Sequence, residues 1–420
     1  MDFNPPATKF RLQFVQAKLT FRLQMRSLNR SLINLCWNNL QRAHVRSACA
    51  TGFLLLLTAT AWSAQTPPRV IKHVTVFQEK GRFAGWPANH GAWSWGDEML
   101  VGFEVGHFHQ ISKDEHAIDY DRPAEHVVAR SLDGGETWKL EKPEGLRPPP
   151  GQFVAGVPTG TNGKPLTDCP GGIDFSNPDF ILSARMTSVD AGRSRFYTSP
   201  DRGHHWNGPY TLPNFDQTGI AARTDYLING PHDLTMFLTA AKRNKLEGRV
   251  ICVRTRDGAK TWELESFVCA EPKWKRDYAI MPSSVRLADG TILTAIRYNK
   301  RNDLYASTDD GRSWKFLSRP VPKVENPPSL TLLKDGRLAI TYGHRFKPFG
   351  IRARLSGDQG KTWSKEIVLR ADGGCWDLGY PRTLQRPDGK LVTIYYYNEN
   401  ENRERFIGAT IWDAGEGLPR

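Results

Sequence analysis

Three short stretches of the chain concentrate side chains able to bind or transform a polar ligand. Trp86, Asn89, His90 and Trp93 form the first, Arg223 and Asp225 the second, and Asp377, Tyr380 and Arg382 the third. A guanidinium binds a carboxylate through two parallel hydrogen bonds, so Arg223 and Arg382 suit an anionic ligand. The indoles of Trp86, Trp93 and Trp95 offer apolar faces on which a sugar ring can stack, or packing between structural layers. His107 and His109 have no carboxylate or Cys at a ligating spacing, so neither a metal nor a cofactor is expected.

These residues need a scaffold, and composition sets its limits. The chain has 420 residues with 39% hydrophobic, 24% charged and 11% aromatic content, enough for a large core. Its 37 Gly and 28 Pro follow no tripeptide period, which excludes a collagen-like rod. Six Cys are too few for a disulfide scaffold, and no Cys-x-x-Cys pair marks a structural zinc. The formal charge of +13 raises the question of a polyanionic partner.

Position answers part of that question. Residues 47–64 carry the apolar run Gly52 to Leu57 and then small residues, after a basic stretch, which is the pattern of a secretory signal peptide. Cleavage is expected after Ala61 or Ala64, giving a secreted or periplasmic protein; the alternative is a single N-terminal membrane anchor. Met25 offers a shorter start. Residues 1–64 account for +7 of the net charge, leaving +6 on residues 65–420, so no nucleic-acid partner is expected. Cys169, Cys252, Cys269 and Cys375 remain; Cys252 and Cys269 flank one hairpin and could bridge, although buried thiols are the simpler reading.

One turn recurs five times. Ser131, Asp133, Gly135 and Trp138 repeat as Ser199, Asp201, Gly203 and Trp206, as Ser307, Asp309, Gly311 and Trp314, and as Ser356, Asp358, Gly360 and Trp363. Thr255, Asp257 and Trp262 form a fifth copy with its Gly one place early, at Gly258. The Asp accepts amide hydrogens across a tight turn, the Gly takes a positive φ, and the Trp plugs the space beneath. The Trp spacings of 68, 56, 52 and 49 residues match the length of a four-stranded propeller blade. Asp-Gly hairpin turns at Asp289, Asp335 and Asp388 add strands within the repeats. Blades are predicted over 85–143, 172–213, 219–270, 278–321, 326–370 and 377–412. The last is one strand short, and residues 70–77 are predicted to complete it. The expected fold is all-β: one six-bladed β-propeller of four-stranded antiparallel blades over 65–420, closed by an N-terminal strand.

The five turns resemble the Asp box of the sialidase (neuraminidase) superfamily of six-bladed propellers, across nearly all of residues 65–420. Such boxes identify a scaffold, so function rests on the site. The resemblance implies three Arg that clamp a substrate carboxylate, a Tyr nucleophile activated by Glu, and an Asp acid/base, in a retaining hydrolysis of a terminal acidic sugar. Tyr380, nine residues before the turn Gly389, takes the nucleophile position, and Arg297 the second clamp position. Arg345 takes the third, with Arg352 and Arg354 as rivals, and Glu104 stands where the family carries the Asp. Two positions depart: Gly85-Trp86-Pro87 replaces the Arg-Ile-Pro motif that would supply the first clamp Arg, and Met281 replaces the activating Glu. Asp277, Asp225 and Asp377 are the carboxylates that could substitute, and Arg223 and Arg382 the guanidinia.

The expected activity is therefore an exo-sialidase-type glycosidase, monomeric, acting on a glycan. Two alternatives stay open: a non-catalytic glycan-binding propeller, and a lyase or hydrolase for another acidic glycan with His90 or Tyr380 as base.

Overall fold

Second strands such as Leu391–Tyr397 and Ile292–Tyr298 are almost wholly apolar because both of their faces are covered by neighbouring blades. The computed structural model describes residues 66–110, 112–148, 153–154, 157–158, 164–324 and 326–416, within the unit Ala64–Arg420. The predicted leader, with Cys36 and Cys49, lies outside the described residues.

Six antiparallel sheets form a six-bladed β-propeller. Blade three runs outward from the axis as Tyr226–Gly230, Asp233–Ala241, Glu247–Thr255 and Glu263–Phe267, with Ile220–Ala221 also on its inner edge. Blade four is Ala279–Arg286, Ile292–Tyr298, Arg301–Ser307 and Lys315–Val321, and blade five is Ser329–Leu332, Leu338–His344, Gly350–Ser356 and Ile367–Arg370. In blade six, Gly379–Gln385, Leu391–Tyr397 and Phe406–Asp413 are joined on the outside by Arg69–Phe77, in register from Arg69↔Asp413 to Phe77↔Ile407. The predicted N-terminal closure is therefore present.

Blades one and two depart from the regular plan. The inner strand of blade one is split into Arg82–Gly85 and Ala92–Trp95 by the helical turn Pro87–His90, both parts pairing with Glu98–His107 before Glu125–Ser131 and Lys139–Glu141. Blade two, predicted four-stranded, has three strands among the described residues: Ile181–Met186, Ser194–Ser199 and Asn207–Leu212. Its exposed inner edge is capped instead of paired. Ser183 Oγ donates to the His90 carbonyl at 2.7 Å, and the Ala184 amide donates to Thr224 Oγ1 at 3.0 Å. Borrowed polar groups thus satisfy part of the edge that a fourth strand would cover.

All five repeated turns form as expected. In the first, Ser131 Oγ donates to Asp133 Oδ1 at 2.8 Å, the Thr137 amide donates to the same oxygen at 2.9 Å, and Trp138 Nε1 donates to the Gly135 carbonyl at 3.0 Å. The fifth copy shows the effect of its displaced Gly. Ala259 occupies the position of Gly135 at φ 72°, and the buried Trp262 Nε1 has no partner. Cys252 and Cys269 are free thiols, which burial pushes up to about 12 and about 11.

Apolar clusters fill every junction between blades, but unequally. Eighteen buried residues join blades six and one, among them Val76, Phe83, Phe103, Ile394 and Ile411, whereas six join blades one and two. Among the described residues no helix is long and apolar enough to cross a membrane.

A left-handed conformation costs a non-glycine residue about 1 kcal/mol or more. Ala259→Gly should therefore stabilise the protein by about 1 kcal/mol, which urea unfolding of the two proteins measures.

Candidate active site

The inner strands of blades one, four and six each hold a residue in the left-handed region near their start or at their break: Trp86 at φ 59°, after Arg82–Gly85, Met281 at 55° and Tyr380 at 51°. Non-glycine residues held there carry backbone strain, which concentrates at functional sites. At Tyr380 the strain is secured by Asn326, a fully buried residue of blade five. Its Oδ1 accepts the amides of Tyr380 at 2.9 Å and Gly343 at 3.0 Å, while its Nδ2 donates to the Leu378 carbonyl at 3.1 Å. A Cβ on Gly379 would lie 2.6 Å from this amide group, so glycine is required there.

Asp377, 1% exposed, is the hub of the best-connected cluster. Oδ1 accepts from His116 Nδ1 at 2.5 Å and Tyr396 Oη at 2.8 Å. Oδ2 accepts from the Ala117 amide at 3.1 Å and Arg405 Nε at 2.9 Å. Burial opposes ionisation, but His116, Arg405 and the amide prevail and hold the carboxyl well below the usual range. Asp377 is thus a fully bonded anion.

Arg345 adjoins this hub. Its Nη2 donates to Tyr396 Oη at 2.7 Å and its Nε to the Leu378 carbonyl at 3.1 Å. The guanidinium lies 5.0 Å from the Trp376 ring centroid and 5.3 Å from that of Tyr380. His116 in turn packs 5.4 Å from Trp86, 5.2 Å from Trp376 and 6.5 Å from Tyr396, and Tyr380 packs 5.8 Å from Tyr396. Trp86, Arg345, Asp377 and Tyr380, four residues singled out in the sequence, thus gather at one mouth of the channel. Sequence reasoning missed His116, Trp376 and Tyr396, which complete the group.

The other predicted residues fall into separate surroundings. Arg297 donates from Nη2 to Tyr278 Oη at 3.0 Å, with its buried Nε unpartnered. Arg382 donates from Nη2 to the carbonyls of Ala88, at 2.7 Å, and Thr224. It lines a pocket of about 270 Å³ on the channel with Trp93, Thr224, Asp225 and Tyr226. Burial lowers the pKa of Arg382 and raises that of Asp225, each partly offset by the other's charge; the Asp225 carboxylate accepts from the Ser284 amide at 3.1 Å and Ser284 Oγ at 2.8 Å. Arg223 is taken up by Glu247 at 2.7 Å. The Asp277 carboxyl has no hydrogen bond to Tyr380, and among the described residues no side chain bonds the Tyr380 hydroxyl; Asp277 instead offers its carbonyl to Lys242 Nζ.

Glu104, 1% exposed, lies with His90, His126 and Arg185 beside the thin junction of blades one and two. Arg185 Nε donates to His126 Nδ1 at 3.2 Å, so the proton of that ring sits on Nε2. His126 Nε2, His90 Nδ1, Asn89 Oδ1 and Glu104 Oε1 are all buried without a partner. Burial pushes Glu104 up to about 8, against the pull of Arg185 and Arg195, and brings Arg185 down to about 9. Burial and then Arg185 hold both histidines well below their usual value. Among the described residues no cluster of three His, Cys, Asp or Glu could hold a metal.

The fold is a six-bladed β-propeller, and its most connected polar cluster combines aromatic rings with the buried Arg345. The family model described as a BNR repeat-like domain matches residues 180–393, half of the chain, and the chain belongs to that family. No curated protein is matched. Among solved structures, a protein of unknown function from Dyadobacter fermentans is similar, with a TM-score of 0.64 at 20% identity over 82% of this chain and 99% of that one. A Trypanosoma rangeli sialidase mutant with trans-sialidase activity gives 0.51 at 14% identity, over 82% and 58% of the two chains. An α-L-arabinofuranosidase from Fusarium graminearum gives 0.50 at 12% identity, over 81% and 97%. At these identities the likeness is one of fold.

Glu104 generates a pH prediction. Its carboxyl titrates near 8 when folded and near 4.5 otherwise, so between those values the folded chain holds a proton that the unfolded chain releases. Through this group stability should fall by about 1.4 kcal/mol per pH unit as pH rises across that window. Glu104→Gln should remove the slope, as urea unfolding at about pH 5, 6.5 and 8 would show.

Proposed function

We propose that the protein is an exported glycosidase that removes a terminal acidic sugar, with Tyr380 as nucleophile of a retaining reaction and Arg345 as the carboxylate clamp. The observation that carries this reading is the state of that guanidinium. Arg345 is 8% exposed yet lies within ion-pair distance of no carboxylate among the described residues, and its bonds go to a phenol and a carbonyl. Burial disfavours the Arg345 charge, but Tyr396, Tyr380 and the anionic Asp377 outweigh it and raise its pKa, so the guanidinium stays charged and can receive an anionic ligand. Tyr380 beside Arg345 supports a nucleophile suited to an anionic sugar, since a phenol avoids the repulsion that a carboxylate nucleophile would meet. Trp86 and Trp376 supply apolar faces for the ring.

A second reading draws on a specific observation. Met281 stands where a base for Tyr380 is expected, and the Tyr380 hydroxyl is unbonded by any described carboxylate. A glycan-binding propeller without turnover would have this appearance.

Aryl α-sialosides and aryl uronides separate the two. The glycosidase reading expects aryl release from at least one of them, a loss of more than about 1,000-fold in Tyr380→Phe, and a kcat/KM loss of about 100-fold in Arg345→Met. Methyl esterification of the sugar carboxylate should impair the wild type as much as Arg345→Met does, and the two changes together should add little. Saturable binding of the free sugars without release from any aryl substrate would establish the binding module instead.

A further inference from the structure

A hydrolase at this mouth needs a proton donor for the departing oxygen, and the sequence offered Glu104. The geometry disfavours it. Glu104 is closed into the junction of blades one and two at 1% exposure, among Arg185, His90 and His126. His116 has the opposite character. Its side chain is 24% exposed and stands between Trp86 and Trp376, on the aromatic cleft that also holds Arg345 and Tyr380. Its Nδ1 is fixed at 2.5 Å by Asp377, whose other bonds to Tyr396, Arg405 and the Ala117 amide leave the carboxylate no freedom to turn away. Among the described residues Nε2 has no partner. A buried carboxylate holding one imidazole nitrogen, with the other nitrogen open to a cleft, is an arrangement for moving a proton at a defined point.

We propose that His116 is the acid/base catalyst of this site and that Asp377 is its positioning residue, an inference that rests on the glycosidase reading. Protonated His116 gives its Nε2 proton to the glycosidic oxygen as the bond to the anomeric carbon breaks. The bonding pair stays on that oxygen, and the aglycone leaves as a neutral alcohol. The anomeric carbon takes a new pair from the Tyr380 oxygen, whose proton passes to bulk water. In the return step the neutral Nε2 takes a proton from an attacking water, whose oxygen displaces Tyr380, and the phenol is reprotonated from bulk water.

Acid catalysis matters most for poor leaving groups. The test therefore uses aryl glycosides of one sugar that the wild type cleaves, from dinitrophenyl to phenyl, with wild type, His116→Gln, His116→Ala and Asp377→Asn. The expected loss in His116→Gln is about 100-fold or more on the phenyl glycoside and under about tenfold on the dinitrophenyl one. Added imidazole should restore His116→Ala, and Asp377→Asn should show the same leaving-group pattern at smaller size. Equal losses across the series without imidazole rescue, or no loss, would overturn the role of His116 while leaving the glycosidase intact. If Asp377→Asn fails to fold, by circular dichroism, the leaving-group dependence and imidazole rescue of the two His116 variants still decide for or against the role. Absence of wild-type turnover on every aryl sialoside and uronide would overturn the glycosidase reading, and the catalytic role of His116 with it.

Discussion

Closure of the ring is the constraint on which the rest of the structure depends. Six sheets set around an axis leave two raw edges unless the chain's two ends share a blade, and here Arg69–Phe77 pairs along Phe406–Asp413 to make that shared sheet. The largest apolar cluster lies at the junction this strand seals, between blades six and one. The same junction carries the bonds that assemble the site. Asp377 of blade six accepts from His116 and Ala117 of blade one, across some 260 residues of sequence. A hydrogen-bond hub of that kind exists only in the closed ring, so stability and site geometry are coupled through one seam.

The opposite side of blade one is built differently. Blade two presents three described strands and an inner edge capped by His90 and Thr224, and the apolar cluster there is small. Into this weaker junction the fold places Glu104, His90, His126 and Arg185, with three of their polar atoms unpartnered. Polar groups buried this way forfeit hydration without recovering hydrogen bonds, so each neutral form is favoured. The carboxyl gains a proton and the imidazoles lose theirs, which lowers the cost of burial by removing charge. Asp377, by contrast, keeps its charge because every direction around it is occupied by a donor.

The scaffold was legible because a blade repeats. Each copy of the Ser-x-Asp turn fixes the boundary between third and outer strands, and five copies fix the spacing; even the displaced Gly of the fifth copy announced the strain at Ala259. That blade two shows three strands among the described residues was not legible, since the segment before Ile181 has no alternation that marks it as strand or loop. Within the site, Tyr380 could be placed by its distance from a hairpin turn, and the structure sets its ring 5.3 Å from the Arg345 guanidinium. Arg223 is paired with Glu247, a partner that no spacing in the sequence marks. His116 and Trp376 sit in loops between strands, and such loops carry no periodic signal. A clue did exist in the density of polar residues around Asp377, whose need for donors could be foreseen but not their identity.

Charge distribution gives the same division a physical basis. Most buried arginines here are consumed by the scaffold: Arg130 by Glu98 and Glu141, Arg254 by Asp233 and Asp310, Arg370 by Asp372 and Glu399, and Arg405 by Asp377. Those pairs bridge strands or neighbouring blades and cancel. Arg297, Arg345 and Arg382 form no ion pair with a carboxylate among the described residues, although Asp225 acts on Arg382 and Asp377 on Arg345 through space, and all three belong to the inner two strands of their blades or the segment that directly follows. A field from uncancelled guanidinia inside a channel with low-dielectric walls is focused along its axis instead of spread over the surface.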